Sequence, residues 1–110
     1  MKTHYNKLVR DYIPEIIKNS GNECETKILS DEDYQKALRQ KLIEEATEAA
    51  TATQEELVKE LADLYEVIDT LIASNGLDEK TIRSQQHQRR EERGGFEDKI
   101  QLIATFIHET

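Results

Sequence analysis

The sequence predicts an all-α fold, and three observations carry the prediction. One Pro and four Gly in 110 residues leave few places where a helix must break. Residues 31–52 and 53–74 each run without Gly or Pro behind a helix-starting residue, and so short a link between two helices makes an antiparallel hairpin. Hydrophobic residues are 36 % of the chain and charged ones 35 %. That balance suits helices with one apolar stripe and starves a sheet buried on both faces. The length fits one domain, residues 1–110, and the lean apolar content suggests a core completed by a second subunit.

In chain order, residues 12–19 are expected to form a short helix, with Pro14 in its first turn, Ile13, Ile16 and Ile17 as its apolar side and Gly21 as its stop. Residues 24–29 read as a weak strand. Ser30 followed by Asp31, Glu32 and Asp33 is a helix start with acids against the positive end of the dipole, and nothing breaks the helix before about Ala52. Thr53 with Glu56 three residues on is a capping box opening the second long helix, which runs to Ser74 before Asn75-Gly76. Asp78 caps a third, which ends near Arg93 at Gly94-Gly95. Beyond it Ile100, Leu102, Ala104 and Phe106 share one side of a short strand near 99–107, and 24–29 is the stretch available to pair with it in a small β element.

The net charge of −8 comes from one segment. Residues 31–79 hold 14 acids and four bases, whereas 1–30 hold five bases and four acids and 80–99 hold six bases and four acids. An acidic chain repels phosphate over most of its surface, which excludes non-specific nucleic-acid binding. An acidic block flanked by basic segments suits a cation and a small polyanion held together; a solvated helix surface is the plainer alternative. The single Cys24 excludes an intrachain disulfide and a Cys-rich zinc site. No apolar run approaches the roughly 18 residues of a membrane span, and no signal-peptide core opens the chain. A cytoplasmic protein with neither nucleic acid nor membrane as partner is expected.

Helical periodicity then sorts the acids. In the first long helix Tyr34, Leu38, Leu42 and Ala49 form a stripe with Glu45 in its middle and Glu48 on its edge. A carboxylate in an apolar stripe is costly without compensation, and a Lys41–Glu45 pair is the structural explanation to weigh against a ligand role. In the second helix Leu57, Leu61, Leu64, Ile68 and Leu71 define the apolar face. Glu60 lies about 60° from its centre and Asp63 at its margin, while Glu66 and Asp69 point away. Two acidic i, i+3 pairs, Glu45/Glu48 and Glu60/Asp63, therefore sit on helices that must face each other. Four converging carboxylates call for hard cations, and with no His or Cys in the hairpin Mg²⁺ is the natural choice, with Mn²⁺ as its substitute. In the third helix Lys80, Arg83, His87 and Arg90 fall on one side and Arg93 precedes Gly94-Gly95-Phe96, a combination suited to phosphate oxygens as well as to an ordinary solvated helix end.

At this point the sequence resembles a known family. Glu45-Ala-Thr-Glu48 with Glu60-Leu-Ala-Asp63 is similar to the E-x-x-E … E-x-x-D signature of the MazG-like, all-α NTP pyrophosphatase superfamily. Lys41-Leu-Ile-Glu-Glu-Ala, Tyr5-Asn-Lys-Leu-Val-Arg-Asp11, Ile13-Pro-Glu-Ile-Ile17 and Arg93-Gly-Gly-Phe96 resemble its small single-domain, house-cleaning, phosphoribosyl-ATP pyrophosphohydrolase-like members. The resemblance implies hydrolysis of a nucleoside triphosphate to monophosphate and pyrophosphate, with Mg²⁺ on Glu45, Glu48, Glu60 and Asp63. It also implies a homodimer or homotetramer in which hairpins form a four-helix-type bundle. Lys7, Arg10, Arg90 and Arg93 would hold phosphate, and Glu44 and Glu45 are both candidates for the base. The link between the acidic pairs is shorter than in many members of the superfamily, so the base pocket is expected to differ. Two rivals remain: phosphoribosyl-ATP hydrolysis in histidine synthesis, and a non-enzymatic helical interaction module with its acids on the surface.

Overall fold

The structure is a computed structural model and describes residues 1–108. It contains four helices: α1 (Ile13–Asn19), α2 (Asp31–Thr51), α3 (Leu57–Ser74) and α4 (Glu79–Arg93). The chain divides into two compact units, Met1–Leu77 with α1 to α3, and a second from Asp78 onward with α4. No helix among the described residues is long and apolar enough to cross a membrane.

The first unit is organised by the α2–α3 hairpin. Ser30 Oγ accepts the Asp33 N–H at 3.2 Å, so α2 starts where its cap and three acids place it. Thr53 Oγ1 accepts the Glu56 N–H at 3.3 Å, the hydroxyl half of the expected capping box. A turn over 54–56 intervenes, and α3 proper begins at Leu57 rather than at the box itself. The antiparallel arrangement is fixed at the open end, where Gln35 Nε2 donates to Ser74 O (3.4 Å) and Asn75 Nδ2 donates to Gln35 Oε1 (3.0 Å). Leu38 is 2 % exposed and Val67 7 %, and these two are the buried apolar side chains among the described residues. Leu57, Leu64, Ile68 and Leu71 are half-buried, whereas Val58, Leu61 and Tyr65 on the same helix are exposed. The hairpin thus covers only part of the broad apolar arc of α3.

In the second unit Asp78 accepts the Lys80 N–H at 3.0 Å and starts α4, which has no buried residue. Gly94 closes it at φ 82°, ψ −179°, a conformation open almost only to glycine. Neither stretch expected to contribute to a β element, 24–29 or 99–107, is a strand in its own unit, and Ile100, Leu102 and Phe106 are exposed. Two short segments with no third strand or helix to cover their apolar side cannot hold a sheet by themselves.

Candidate functional site

The i, i+3 spacing on each helix of the hairpin determines what meets across it. From α2, carboxylate oxygens of Glu44, Glu45 and Glu48 lie within 4.8 Å of one another, and Glu45 likewise groups with Glu60 and Asp63 of α3. Glu45 belongs to both groups and is their hub. The four acids singled out in the sequence are thus brought together, with Glu44 beside them. Glu66 and Asp69 are exposed and belong to neither group.

Two of these side chains are deeply buried, Glu45 at 7 % and Glu60 at 9 % exposure, and in each the Oε2 atom has no hydrogen-bond partner. An unpartnered carboxylate oxygen away from water is costly, and protonation of either acid would let it share a hydrogen bond with Glu48. Lys41 Nζ lies 3.5 Å from Glu45 Oε1 and 3.1 Å from Glu44 Oε2. The Lys41–Glu45 pair therefore exists, but it satisfies one oxygen of Glu45 and leaves the other orphaned.

The electrostatics separate Glu44 from its neighbours. Burial pushes the Glu45 carboxyl above its ordinary value, and the nearby Glu48 pushes it further against the opposing Lys41. Glu60 is raised by burial and then by Glu48. Burial alone would raise Glu44 too, but hydrogen bonds from Lys7 and Lys41 hold it below the usual carboxylate range. Lys7 is raised in return by its hydrogen bond to Glu44.

These directions set the pH response of the metal-free protein. A carboxylate raised in the fold binds more protons folded than unfolded, so its stabilisation is present below the ordinary carboxylate pKa and lost as pH rises through the raised value. Glu44 acts oppositely, its contribution disappearing only as pH falls through its lowered value. With chelator present, the melting temperature is expected to decline from about pH 4.5 upward through the range in which Glu45 and Glu60 ionise, and to decline less in Glu45→Gln. Thermal melts across pH 4–8 check this; an equal slope in both proteins contradicts it.

The basic residues divide by unit. Lys7 Nζ is 3.1 Å from Glu44 Oε1, and Arg10 Nη2 is 2.8 Å from Asp63 Oδ1, so the segment before α1 is tied to both helices of the hairpin at the acidic cluster. Nothing local in the sequence marks these ion pairs, which span 37 and 53 residues; the only hint is a basic pair in a chain with one acidic block. In the second unit Arg90 Nη2 pairs with Glu97 Oε1 at 2.8 Å and holds that carboxyl below its ordinary value. A Cβ at Gly95 would meet the ends of both side chains, which are exposed and free to shift. Arg83 pairs with Glu79 (3.6 Å) and His87 lies 2.9 Å from Glu91, each one turn away on α4. Arg93 makes no ion pair among the described residues and, with Phe96 and Lys99, lines an open hollow of ≈ 400 Å³.

Fold and cluster define a class first: an all-α hairpin protein whose centre is an all-oxygen set of carboxylates, two of them buried with orphaned atoms. The family follows from comparison with family models. Residues 10–90 match the model of phosphoribosyl-ATP pyrophosphohydrolase, and the chain belongs to this family, within the MazG-like all-α NTP pyrophosphatase superfamily. No curated protein and no solved structure matches it. Membership makes the protein a hydrolase of the pyrophosphohydrolase type with a nucleotide substrate, in a family that typically uses divalent metals. Lys7 and Arg93 lie outside the matched residues.

Proposed function

We propose that this chain, as one MazG-like domain, is a Mg²⁺-dependent nucleoside triphosphate pyrophosphohydrolase that releases pyrophosphate from non-canonical nucleotides. The observation that carries this reading is the pair of orphaned buried oxygens, Glu45 Oε2 and Glu60 Oε2, in one acidic cluster. A Lys or Arg would suffice for a structural pair, but two buried acceptors facing a cluster of acids fit an ion that takes several oxygens at once. Glu45, Glu48, Glu60 and Asp63 would hold it. When bound, a divalent cation neutralises phosphate oxygens and lowers the pKa of a water.

The chain's own groups do the rest. Glu45, shared by both halves of the cluster, would join the acids of α2 to those of α3 around the ion. Glu44 and Glu45 are both candidates to accept the proton of the attacking water: Lys7 and Lys41 hold Glu44 ionised but make it the weaker base, whereas burial and Glu48 make Glu45 the stronger one. Lys7 and Arg10 bring positive charge to the same end of the hairpin, where a polyphosphate would need it. Arg90 and Arg93 enter through their chemistry: a guanidinium stabilises charge accumulating on a departing pyrophosphate. The exposed Val58, Leu61 and Tyr65 support a homodimer or homotetramer in which a second hairpin completes a four-helix-type bundle.

Arg93→Ala is expected to lower kcat as well as kcat/KM, by roughly 2–4 kcal/mol of transition-state stabilisation, with Arg93→Lys recovering only part. Steady-state kinetics decide it; an unchanged kcat with a raised KM would leave Arg93 a binding residue alone. The whole reading is tested by Mg²⁺-dependent pyrophosphate release from a panel of canonical and damaged NTPs alongside phosphoribosyl-ATP. Turnover of phosphoribosyl-ATP alone would assign the histidine-pathway reaction instead, and no turnover of any substrate would favour a helical interaction module.

A further inference from the structure

The segment ahead of α1 does something the metal chemistry does not need. It lays two cations on the acidic cluster from outside the hairpin, Lys7 on Glu44 at 3.1 Å and Arg10 on Asp63 at 2.8 Å. Asp63 is at the same time grouped within 4.8 Å of Glu45 and Glu60. We propose that residues 1–12 form a displaceable strap in which Arg10 acts as the internal counterion of the acidic cluster, competes with the divalent cation for it, and is released when the cation binds. The inference rests on the cation-binding reading of the cluster given above.

Three features support a strap rather than a fixed brace. The segment has no regular secondary structure before the turn that leads into α1, so no helix or strand holds it in place. Its two anchors on the cluster are ion pairs with the Arg10 and Lys7 side chains 57 % and 45 % exposed, its third pair, Lys2 with Glu25 at 2.9 Å, is exposed as well, and only Leu8 is half-buried; pairs of that kind are weak and easily exchanged. The electrostatics favour the exchange: a divalent ion among Glu45, Glu60 and Asp63 weakens the pull of those acids on Arg10 and adds repulsion to its guanidinium. The deeper Lys41, at 17 % side-chain exposure and on α2 itself, has no such freedom. Once released, Arg10 is an unpaired cation beside a cation-loaded site, available to a polyphosphate. Loading of the cation would then precede tight binding of the anion.

Removing the strap's contact must therefore tighten the binding of the cation alone. In calorimetric titrations of the whole chain with MgCl₂ and no nucleotide, Arg10→Ala is expected to bind about two- to fivefold more tightly than the parent, the range an exposed ion pair can supply. Unchanged or weaker binding by Arg10→Ala overturns the strap, weaker binding making Arg10 a brace that positions Asp63. The parent protein supplies a second measurement that needs no variant. Limited trypsin digestion read by mass spectrometry should cleave after Lys7 and Arg10 faster with Mg²⁺ than with chelator, and equal or slower cleavage also overturns the proposal. Failure of the underlying reading looks different: the parent would then take up no Mg²⁺, and Glu45→Gln would give the same flat titration.

Discussion

Glu45→Gln abolishes turnover and raises the melting temperature of the metal-free protein; both halves are expected from the same two atoms. Glu45 is the one acid common to both groups, so neutralising it removes a ligand from each at once. Its Oε2 is buried without a partner among Glu48, Glu60 and Asp63. An amide at that position supplies an N–H₂ that can donate to a neighbouring carboxylate, and it ends the repulsion that Glu48 exerts on Glu45. Relief of about 1 kcal/mol would raise the melting temperature by roughly 4–8 °C in a domain near 100 residues. Mg²⁺ should then stabilise the parent and leave the variant unmoved. Pyrophosphate release together with melts in chelator and in Mg²⁺ provides the check. Activity near that of the parent removes Glu45 from the ligand set, whatever its effect on stability.

The hairpin and its acids were legible because their signals are local. Ser30, Thr53 and Asp78 each mark a helix start through a side chain that reaches two or three residues ahead, and all three hydrogen bonds are made. Two acidic pairs at i, i+3 share a face whatever else the chain does, so the convergence of Glu45, Glu48, Glu60 and Asp63 needed only the hairpin. What could not be read was which flank of α3 the partner helix would choose. Periodicity centred its apolar face on Leu57, Leu61, Leu64, Ile68 and Leu71, yet Val67 and Glu60 are the residues that are buried while Leu61 is exposed. α2 packs on the acidic flank of the arc, a tertiary choice that buries Glu60 and leaves Val58 and Tyr65 outside. That residues 100–106 form no strand in their own unit has a related reason. Alternation from 100 to 106 describes a surface, and a surface makes a strand only when something pairs with it. The ion pairs of Lys7 and Arg10 with the hairpin are wholly non-local, and Arg90, placed by its spacing among phosphate ligands, is held by Glu97 seven residues on.

That choice of flank gives the largest contrast between otherwise similar acids. α3 carries two i, i+3 pairs of the same chemistry six residues apart, Glu60/Asp63 and Glu66/Asp69. Their intrinsic helix propensities and charges are alike, so any difference between them reports the site and not the helix. Glu60 is buried with an orphaned oxygen and Asp63 is grouped with Glu45, whereas Glu66 and Asp69 are exposed. Glu60→Gln and Asp63→Asn are therefore expected to reduce kcat/KM by more than the roughly 10–100-fold that losing an outer partner of a metal ligand costs. Glu66→Gln and Asp69→Asn should stay close to the parent in rate, and within about 0.5 kcal/mol in stability, as surface substitutions do. The two members of the inner pair should also differ from each other. Glu60→Gln removes a buried charge raised by burial and by Glu48, so the metal-free protein gains stability. Asp63→Asn removes the partner of Arg10 and should gain less. Kinetics and chelator melts on all four variants decide the matter. Equal rate losses from the inner and outer pairs would mean that the acids of α3 act through net charge alone, and that no ion is held between the two helices.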